Sequence, residues 1–161
     1  MEIKNFKFKK KYGQNFLIDS NITNKIANVI KDKANSLVIE IGCGDGRLTK
    51  QLCTYYDKVL CYEIDEEVIP YLKDNLKEYN NYNVILGDFL KRDVNLDIKL
   101  FKYDKLYVVA NLPYYITTPI IEKIINSKID ADTLVFMVQK EVGDRFSAKV
   151  GTKEYSSLSV Y

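Results

Sequence analysis

The chain has 161 residues, of which 47% are apolar and 29% charged, and its formal net charge is +2. This length suits one domain with its own core, and the apolar fraction excludes an intrinsically disordered chain. The sequence contains no histidine, which excludes Ser-His-Asp and Cys-His nucleophilic sites. Any reaction at this protein must therefore proceed without an imidazole.

The positive charge is concentrated at the start, because MEIKNFKFKKK carries five lysines within the first eleven residues. Two interpretations of this stretch stay open. It is either a solvated, frayed tail or a basic arm that contacts nucleic-acid phosphates, with Phe6, Phe8 and Tyr12 interleaved.

The three cysteines, Cys43, Cys53 and Cys61, lack the spacing of a metal knuckle. Without histidine we expect no structural zinc and no other metal, and we expect reduced thiols in a cytoplasmic protein. The N-terminus lacks the apolar run of a signal peptide. No stretch approaches the roughly 20 apolar residues of a membrane span, so we expect no membrane partner.

Apolar, β-branched runs alternate with amphipathic stretches along the chain. The runs are continuous rather than alternating, which is typical of parallel strands buried on both faces. The predicted strands are SLVIEI (36–41), KVLCYE (58–63), NVIL (83–86), KLYVVA (105–110) and TLVFMV (133–138).

Three intervening stretches predict helices. ITNKIANVIKDKA carries its apolar side chains at Ile22, Ile26, Val29 and Ile30, with Asp19 or Ser20 as the N-cap. EEVIPYLKDNLKEY places one stripe at Val68, Leu72, Leu76 and Tyr79, with Pro70 tolerated near its first turn. IIEKIIN begins at Ile120, with Pro119 in its first turn.

Strands and helices that alternate at this spacing predict an α/β fold with a doubly wound, mainly parallel sheet. Ligands of such sheets bind at the carboxyl ends of the strands. The first strand ends in EIGCGDG, where Gly42, Gly44 and Gly46 allow a tight turn and a close ligand approach. This G-x-G-x-G spacing differs from the G-x-G-x-x-G of dinucleotide enzymes, and a glycine-rich turn without a ligand is the alternative.

Acidic residues end the next two strands. Glu63 lies about 20 residues after the first glycine, the usual offset for an acid that binds ribose hydroxyls. Asp65 is a second candidate, although it fits a helix cap better. Asp88 is placed to accept a hydrogen bond from an exocyclic amine such as adenine N6, with Phe89 as an apolar wall, and a plain turn is the alternative.

The fourth strand runs into Asn111, Leu112, Pro113 and Tyr114. This Asn-Leu-Pro-Tyr stretch suits methyl transfer from a sulfonium to an exocyclic amine. The Asn111 side-chain oxygen and a backbone carbonyl at Leu112 or Pro113 accept the two amine protons, and proline fixes the turn. Tyr114 would stack on the base, which offsets part of the cost of removing it from a helix. Tyr115 could supply a second face for stacking on the base, but adjacent residues rarely enclose one ring, so we expect Tyr115 to pack inside the protein.

The chain resembles the ribosomal RNA adenine N6-dimethyltransferase family. The motifs that carry the resemblance are YGQNFL (12–17), EIGCGDGRLT, YEID, GDFL, NLPYYITTPI and FMVQKEVGDRFSAKVGTKEYSSLSV. It implies a Rossmann-like S-adenosylmethionine-dependent methyltransferase fold. The residues that it assigns to the cofactor site are Asn15, Leu17, Gly42, Glu63, Asp88 and Asn111, and Gly44 of the glycine loop is expected to join them.

The resemblance further implies dimethylation of each of two adjacent adenines near the 3′ end of small-subunit (16S) rRNA during ribosome biogenesis. The partner would be this rRNA or the pre-ribosomal small subunit, and the protein a monomer. We expect residues 1–19 to form a basic extension and cofactor-site loop. Residues 20–161 would form a catalytic domain, truncated before its last strands, an F-x-P-x-P segment and a C-terminal helical domain, and the fragment itself would be inactive.

Four alternatives stay open. A large-subunit rRNA adenine N6-methyltransferase of the macrolide-resistance type would share the chemistry, as would a DNA adenine methylase, whose motif is usually N-P-P-Y. A non-catalytic member would bind RNA without turnover. A dehydrogenase is disfavoured by the glycine spacing and has no use for NLPY.

Overall fold

The structure is a computed structural model that describes residues 19–30, 33–155 and 159. The basic N-terminal stretch, together with Asn15 and Leu17, lies outside the described residues.

Five strands form one parallel sheet in the order β3-β2-β1-β4-β5. Each predicted strand is confirmed to within one residue at either end. β1, β2 and β4 are buried on both faces, as continuous apolar runs predict. The edge strands β3 and β5 contain no buried residue, and Leu86 and Leu134 are 50% and 40% exposed, because each of these strands has a neighbour on one side only. The order reverses between β1 and β4, which is where a doubly wound sheet binds ligands. The strands are β1 (Ser36–Ile41), β2 (Lys58–Glu63), β3 (Tyr82–Leu86), β4 (Lys105–Asn111) and β5 (Thr133–Met137).

Helices cover both faces of this sheet, which confirms the doubly wound architecture. One buried cluster joins the sheet to α1, α2 and α3, and a second, on the opposite face, joins it to α4 and α5. The sequence patterns did not single out α2, α4 or α6. The helices are α1 (Ser20–Ala27), α2 (Arg47–Tyr55), α3 (Ile69–Asn75), α4 (Val94–Ile98), α5 (Tyr114–Asn126) and α6 (Lys140–Phe146).

The first helix is shorter than predicted. Asp19 is its N-cap and accepts a hydrogen bond from the Asn21 N–H at 2.8 Å, as one of the two proposed caps should. Only half of the predicted apolar stripe is buried, and the end of the helix does not decide which half, since Ile30 lies beyond α1 and is buried. Ile26 is buried, whereas Ile22 and Val29 are 39% and 56% exposed.

The predicted helix after Glu63 is interrupted near its start. A 3₁₀ turn, Glu66–Val68, precedes α3, and Pro70 then falls in the first turn of α3, where its missing N–H costs no hydrogen bond. Val68, Leu72 and Leu76 are buried as the stripe requires.

The prediction that a helix begins around Pro119 is wrong. α5 begins five residues earlier, at Tyr114, with Pro113 as its N-cap and Pro119 inside it. An internal proline removes one backbone hydrogen bond. Burial of Ile120 and Ile124 outweighs this loss, since each contributes about 1.5–3 kcal/mol. The start of α5 is therefore separated from the end of β4 by Leu112 and Pro113 alone.

The core on the α2 face depends on Leu52, which is fully buried. We expect Leu52→Ala to lower the free energy of unfolding by about 2–5 kcal/mol, because it leaves a cavity that the sheet cannot close. Leu100→Ala is the control, since Leu100 is 84% exposed and its truncation should change stability by less than about 0.5 kcal/mol. Urea denaturation measures both, and equal effects would contradict this account of the core.

Candidate active site

A cavity of ≈ 270 Å³ opens at the carboxyl edge of the sheet. It is close to the lower end of the range for small-molecule sites, roughly 300–1,000 Å³. The ends of β1, β2, β4 and β5 contribute to its lining, together with the residues that follow β3. The sequence-predicted site residues that line it are Gly42, Gly44, Glu63, Asp88, Asn111, Leu112 and Pro113. Tyr114 follows directly as the first residue of α5, and its side chain, like Asn15 and Leu17, lies outside what the structure describes. The expectation that Tyr115 packs inside is wrong, since Tyr115 lines the cavity and is 47% exposed.

The glycine loop joins β1 to α2 through a backbone that favours glycine. Gly42 and Gly46 have φ of +76° and +85°, and the Gly42 N–H donates to the Tyr62 carbonyl at 2.8 Å. A Cβ on Gly46 would lie 3.4 Å from the Cγ atoms of both Leu72 and Leu76. The third glycine thus lets the loop lie close against α3, which is a packing role.

Gly46→Ala should therefore destabilise the chain. The left-handed backbone costs an alanine about 1–2 kcal/mol, and the contacts of 3.4 Å to the two leucines, which are at the short end of ordinary van der Waals distances, do not offset this cost. Gly143→Ala is the matched control, because Gly143 lies within α6 and its nearest neighbour is an ordinary 3.8 Å contact. There alanine should raise stability by up to about 1 kcal/mol. Opposite signs in thermal denaturation are expected, and a neutral Gly46→Ala would be inconsistent with a strained loop.

The Glu63 carboxylate ends β2 and is held by the backbone. Its Oε2 accepts from the Gly44 N–H at 2.7 Å, and its Oε1 accepts from the N–H groups of Ile64 and Asp65 at 2.9 Å each. Burial raises the pKa of Glu63, and these backbone donors partly oppose that shift. Three of roughly four acceptor positions are thus in use. A ribose diol would be held through one hydroxyl unless one of these N–H bonds opens.

The two aspartates that follow β2 and β3 both cap 3₁₀ turns. Asp65 accepts from the Glu67 N–H at 3.2 Å, as expected of a cap, but it is buried rather than on the surface. Asp88 accepts from the Leu90 N–H at 3.0 Å through Oδ1, and its Oδ2 lies 3.7 Å from Lys91 Nζ. Asp88 lines the cavity, so the capping hydrogen bond to Leu90 fixes the Asp88 carboxylate at the site.

Phe89, which was expected to form an apolar wall of the site, is a core residue. Its ring is 5% exposed and packs edge-on against Tyr62, with 5.0 Å between the centroids. This contact holds Phe89 in place beside the cavity.

The Asn-Leu-Pro segment is fixed by its neighbours on both sides. Asn111 pairs with Met137 of β5, and the Leu112 N–H donates to the Met137 carbonyl at 3.1 Å. The Pro113 carbonyl accepts from the Ile116 N–H at 3.2 Å and from Thr117 Oγ1 at 2.9 Å. Both lone pairs of the Pro113 carbonyl are thus used, so of the two proposed backbone acceptors the Leu112 carbonyl is favoured.

Sequence reasoning missed four polar residues that line the cavity: Glu40, Asp45, Arg47 and Gln139. Asp45 is buried, and its Oδ2 accepts from Arg47 Nε at 2.8 Å. Glu40 is an acid inside the first apolar strand, and this break in an otherwise apolar run was the available signal.

The described part of the chain contains no group of acidic, cysteine or histidine side chains that could hold a metal ion. Cys43, Cys53 and Cys61 are free thiols in the core. Within the same residues, no helix is long and apolar enough to cross a bilayer.

Comparison with known proteins shows which family the chain is similar to. Residues 5–161 match the model of the family described as ribosomal RNA adenine dimethylase. A ribosomal RNA small subunit methyltransferase A of Staphylococcus epidermidis is 50% identical over 96% of this chain and 53% of its own length. The chain spans about half the length of the curated relatives it matches.

Two solved structures share the fold. A dimethyladenosine transferase from Plasmodium falciparum superimposes with a TM-score of 0.76 at 36% identity, covering 91% of this chain and 51% of the other. A 23S rRNA methyltransferase, ErmE, gives 0.65 at 27% identity, covering 81% and 50%. With a parallel sheet of this order and the family motifs along nearly its whole length, the chain belongs to the ribosomal RNA adenine dimethylase family.

Proposed function

We propose that the protein transfers methyl groups from S-adenosylmethionine to N6 of two adjacent adenines near the 3′ end of small-subunit rRNA. The observation that carries this proposal is the single cavity in which the glycine loop, Glu63, Asp88 and the Asn-Leu-Pro segment meet. Small-subunit rRNA is favoured over large-subunit rRNA because the relatives at about 50% identity are named for the small subunit. The 27% identity to ErmE keeps large-subunit rRNA as the second candidate.

The residues at the strand ends suit the adenosyl part of the cofactor. Glu63 lies where it can accept a ribose hydroxyl, and Asp88 where it can accept from an exocyclic amine. Gly42 and Gly44 let the cofactor approach the loop backbone, because no side chain extends from them. Asn15, Leu17 and Asn111 would complete this site. When bound, the cofactor supplies a methyl group on a positively charged sulfur.

The chain's own groups would prepare the acceptor amine. The lone pair of an adenine amine is delocalised into the ring. The Asn111 side-chain oxygen and the Leu112 carbonyl can each accept one N–H, which draws the nitrogen toward tetrahedral geometry. Pro113 fixes the turn that presents these two oxygens, and Tyr114 would stack on the base. The extra proton leaves after transfer, when the nitrogen is cationic, so no histidine is needed.

Two measurements test the proposal. Calorimetric titration of the folded chain should show saturable binding of S-adenosylmethionine and none of NAD. Methyl transfer by the protein at the length of its relatives should then label small-subunit particles rather than naked large-subunit rRNA. Labelling of the large subunit alone would favour the second candidate, and cofactor-independent RNA binding would indicate a non-catalytic member.

A further inference from the structure

Glu40 is a buried carboxyl at the cavity that the chemistry above does not use. It lies next to last in β1, is 1% exposed, and contributes to the cavity lining. Its register partners are Cys61 of β2 and Val109 of β4. A carboxyl in such a place is costly to ionise unless a positive charge lies nearby.

The surrounding groups offer little compensation for a negative charge. Cys61 Sγ donates to Glu40 Oε2 at 3.7 Å, which is a weak contact. Thr49 Oγ1 of α2 is near enough to lower the pKa of Glu40, yet it is buried without a hydrogen bond of good geometry. The other titratable neighbours are acids and thiols: Glu63 and Asp45, and also Cys43 and Cys53.

Together these surroundings keep the carboxyl protonated. Burial raises the pKa of Glu40 to about 8, with smaller contributions in the same direction from Glu63 and Asp45. Among the described residues that line the cavity, Arg47 is the one base, and it is paired with Asp45 at 2.8 Å. The site therefore holds a proton on Glu40 at neutral pH and lacks a cation to replace it.

We propose, on the basis of the proposed function, that Glu40 makes the site sensitive to the charge on the cofactor sulfur. Its carboxyl releases a proton to solvent when the sulfonium form binds, and takes one up again once the neutral thioether product remains. The carboxylate then favours the methyl donor over the spent product, and Thr49 supplies a hydroxyl donor for the ionised form. Charge balance is kept, because one proton leaves as one positive charge enters.

The test compares S-adenosylmethionine with S-adenosylhomocysteine by calorimetry in buffers of different ionisation enthalpy. At pH 7 the wild-type chain should release about one more proton on binding the sulfonium ligand than Glu40→Gln does. Between pH 8.5 and 6.5 the affinity ratio of the two ligands should fall by roughly tenfold or more in the wild type, and stay flat in Glu40→Gln. Glutamine has the shape of a protonated glutamate. Subtracting the proton release of Glu40→Gln from that of the wild type removes the contribution of the ligands' own amino groups.

Glu66→Gln is the matched control, since Glu66 is exposed and lies outside the cavity lining; it should behave as the wild type. Carboxyl ¹³C NMR of the ligand-free chain gives the pKa of Glu40 without any ligand. Equal proton release by wild type and Glu40→Gln, or by the two ligands, would overturn the inference while leaving the proposed function intact. A folded chain that binds neither ligand would overturn both.

Discussion

Replacing Asn111 with alanine should lower the rate of methyl transfer by about 10²–10³-fold, the range found when one preorganised polar group is removed from a reacting centre. Asn111 ends β4, and its register pairing with Met137 holds it at the cavity. Without its side-chain oxygen, one amine proton of the acceptor loses its partner and the lone pair stays delocalised. Cofactor affinity should fall by less than about tenfold, because one neutral hydrogen bond is lost.

Single-turnover methyl transfer separates this effect on chemistry from binding. The measurement uses the protein at the length of its relatives, since this chain spans about half of that length. Asn126→Ala, at the exposed end of α5, serves as control and should keep the wild-type rate. A rate for Asn111→Ala within about threefold of wild type would show that another group orients the amine.

Replacing Glu63 with alanine should weaken cofactor binding on the order of 100-fold, because a hydrogen bond to a charged group contributes about 1.5–3 kcal/mol. The same change removes the acceptor of the Gly44, Ile64 and Asp65 N–H groups. The loop that faces the cofactor would then lose its anchor to β2. We expect stability to fall by about 1–3 kcal/mol, since water can satisfy only part of these donors.

Glu63→Gln should give a smaller loss, because its amide keeps one carbonyl oxygen but turns an N–H₂ group toward a backbone donor. Glu66→Gln is the control again, and it should leave affinity and stability unchanged. Calorimetry and urea denaturation on the same samples separate the two effects. Wild-type affinity in a folded Glu63→Ala chain would remove Glu63 from the cofactor site.

The apolar runs of the sequence predicted all five strands of the sheet, whereas their order came from the structure. The runs of β1, β2 and β4 are continuous because a central parallel strand is buried on both faces and so carries apolar side chains on both. The runs of β3 and β5 also predicted strands, although both lie at the sheet edges and are only partly buried. Strand ends then place Glu63, Asp88 and Asn111 at one edge, since parallel strands all end on the same side. The motifs along nearly the whole chain also identified the family, which the comparisons confirm.

Tertiary packing decided what local patterns could not. Pro119 is a local signal for a helix start, yet α5 runs through it because Ile120 and Ile124 gain more by burial than one hydrogen bond is worth. Likewise the sequence shows Glu40 as one acid in an apolar strand. The tertiary structure buries the Glu40 carboxyl. It also pairs Arg47 with Asp45, so that Arg47 does not compensate a charge on Glu40. Local propensity is a sum over neighbours in the chain, whereas burial and charge compensation depend on residues far apart in it.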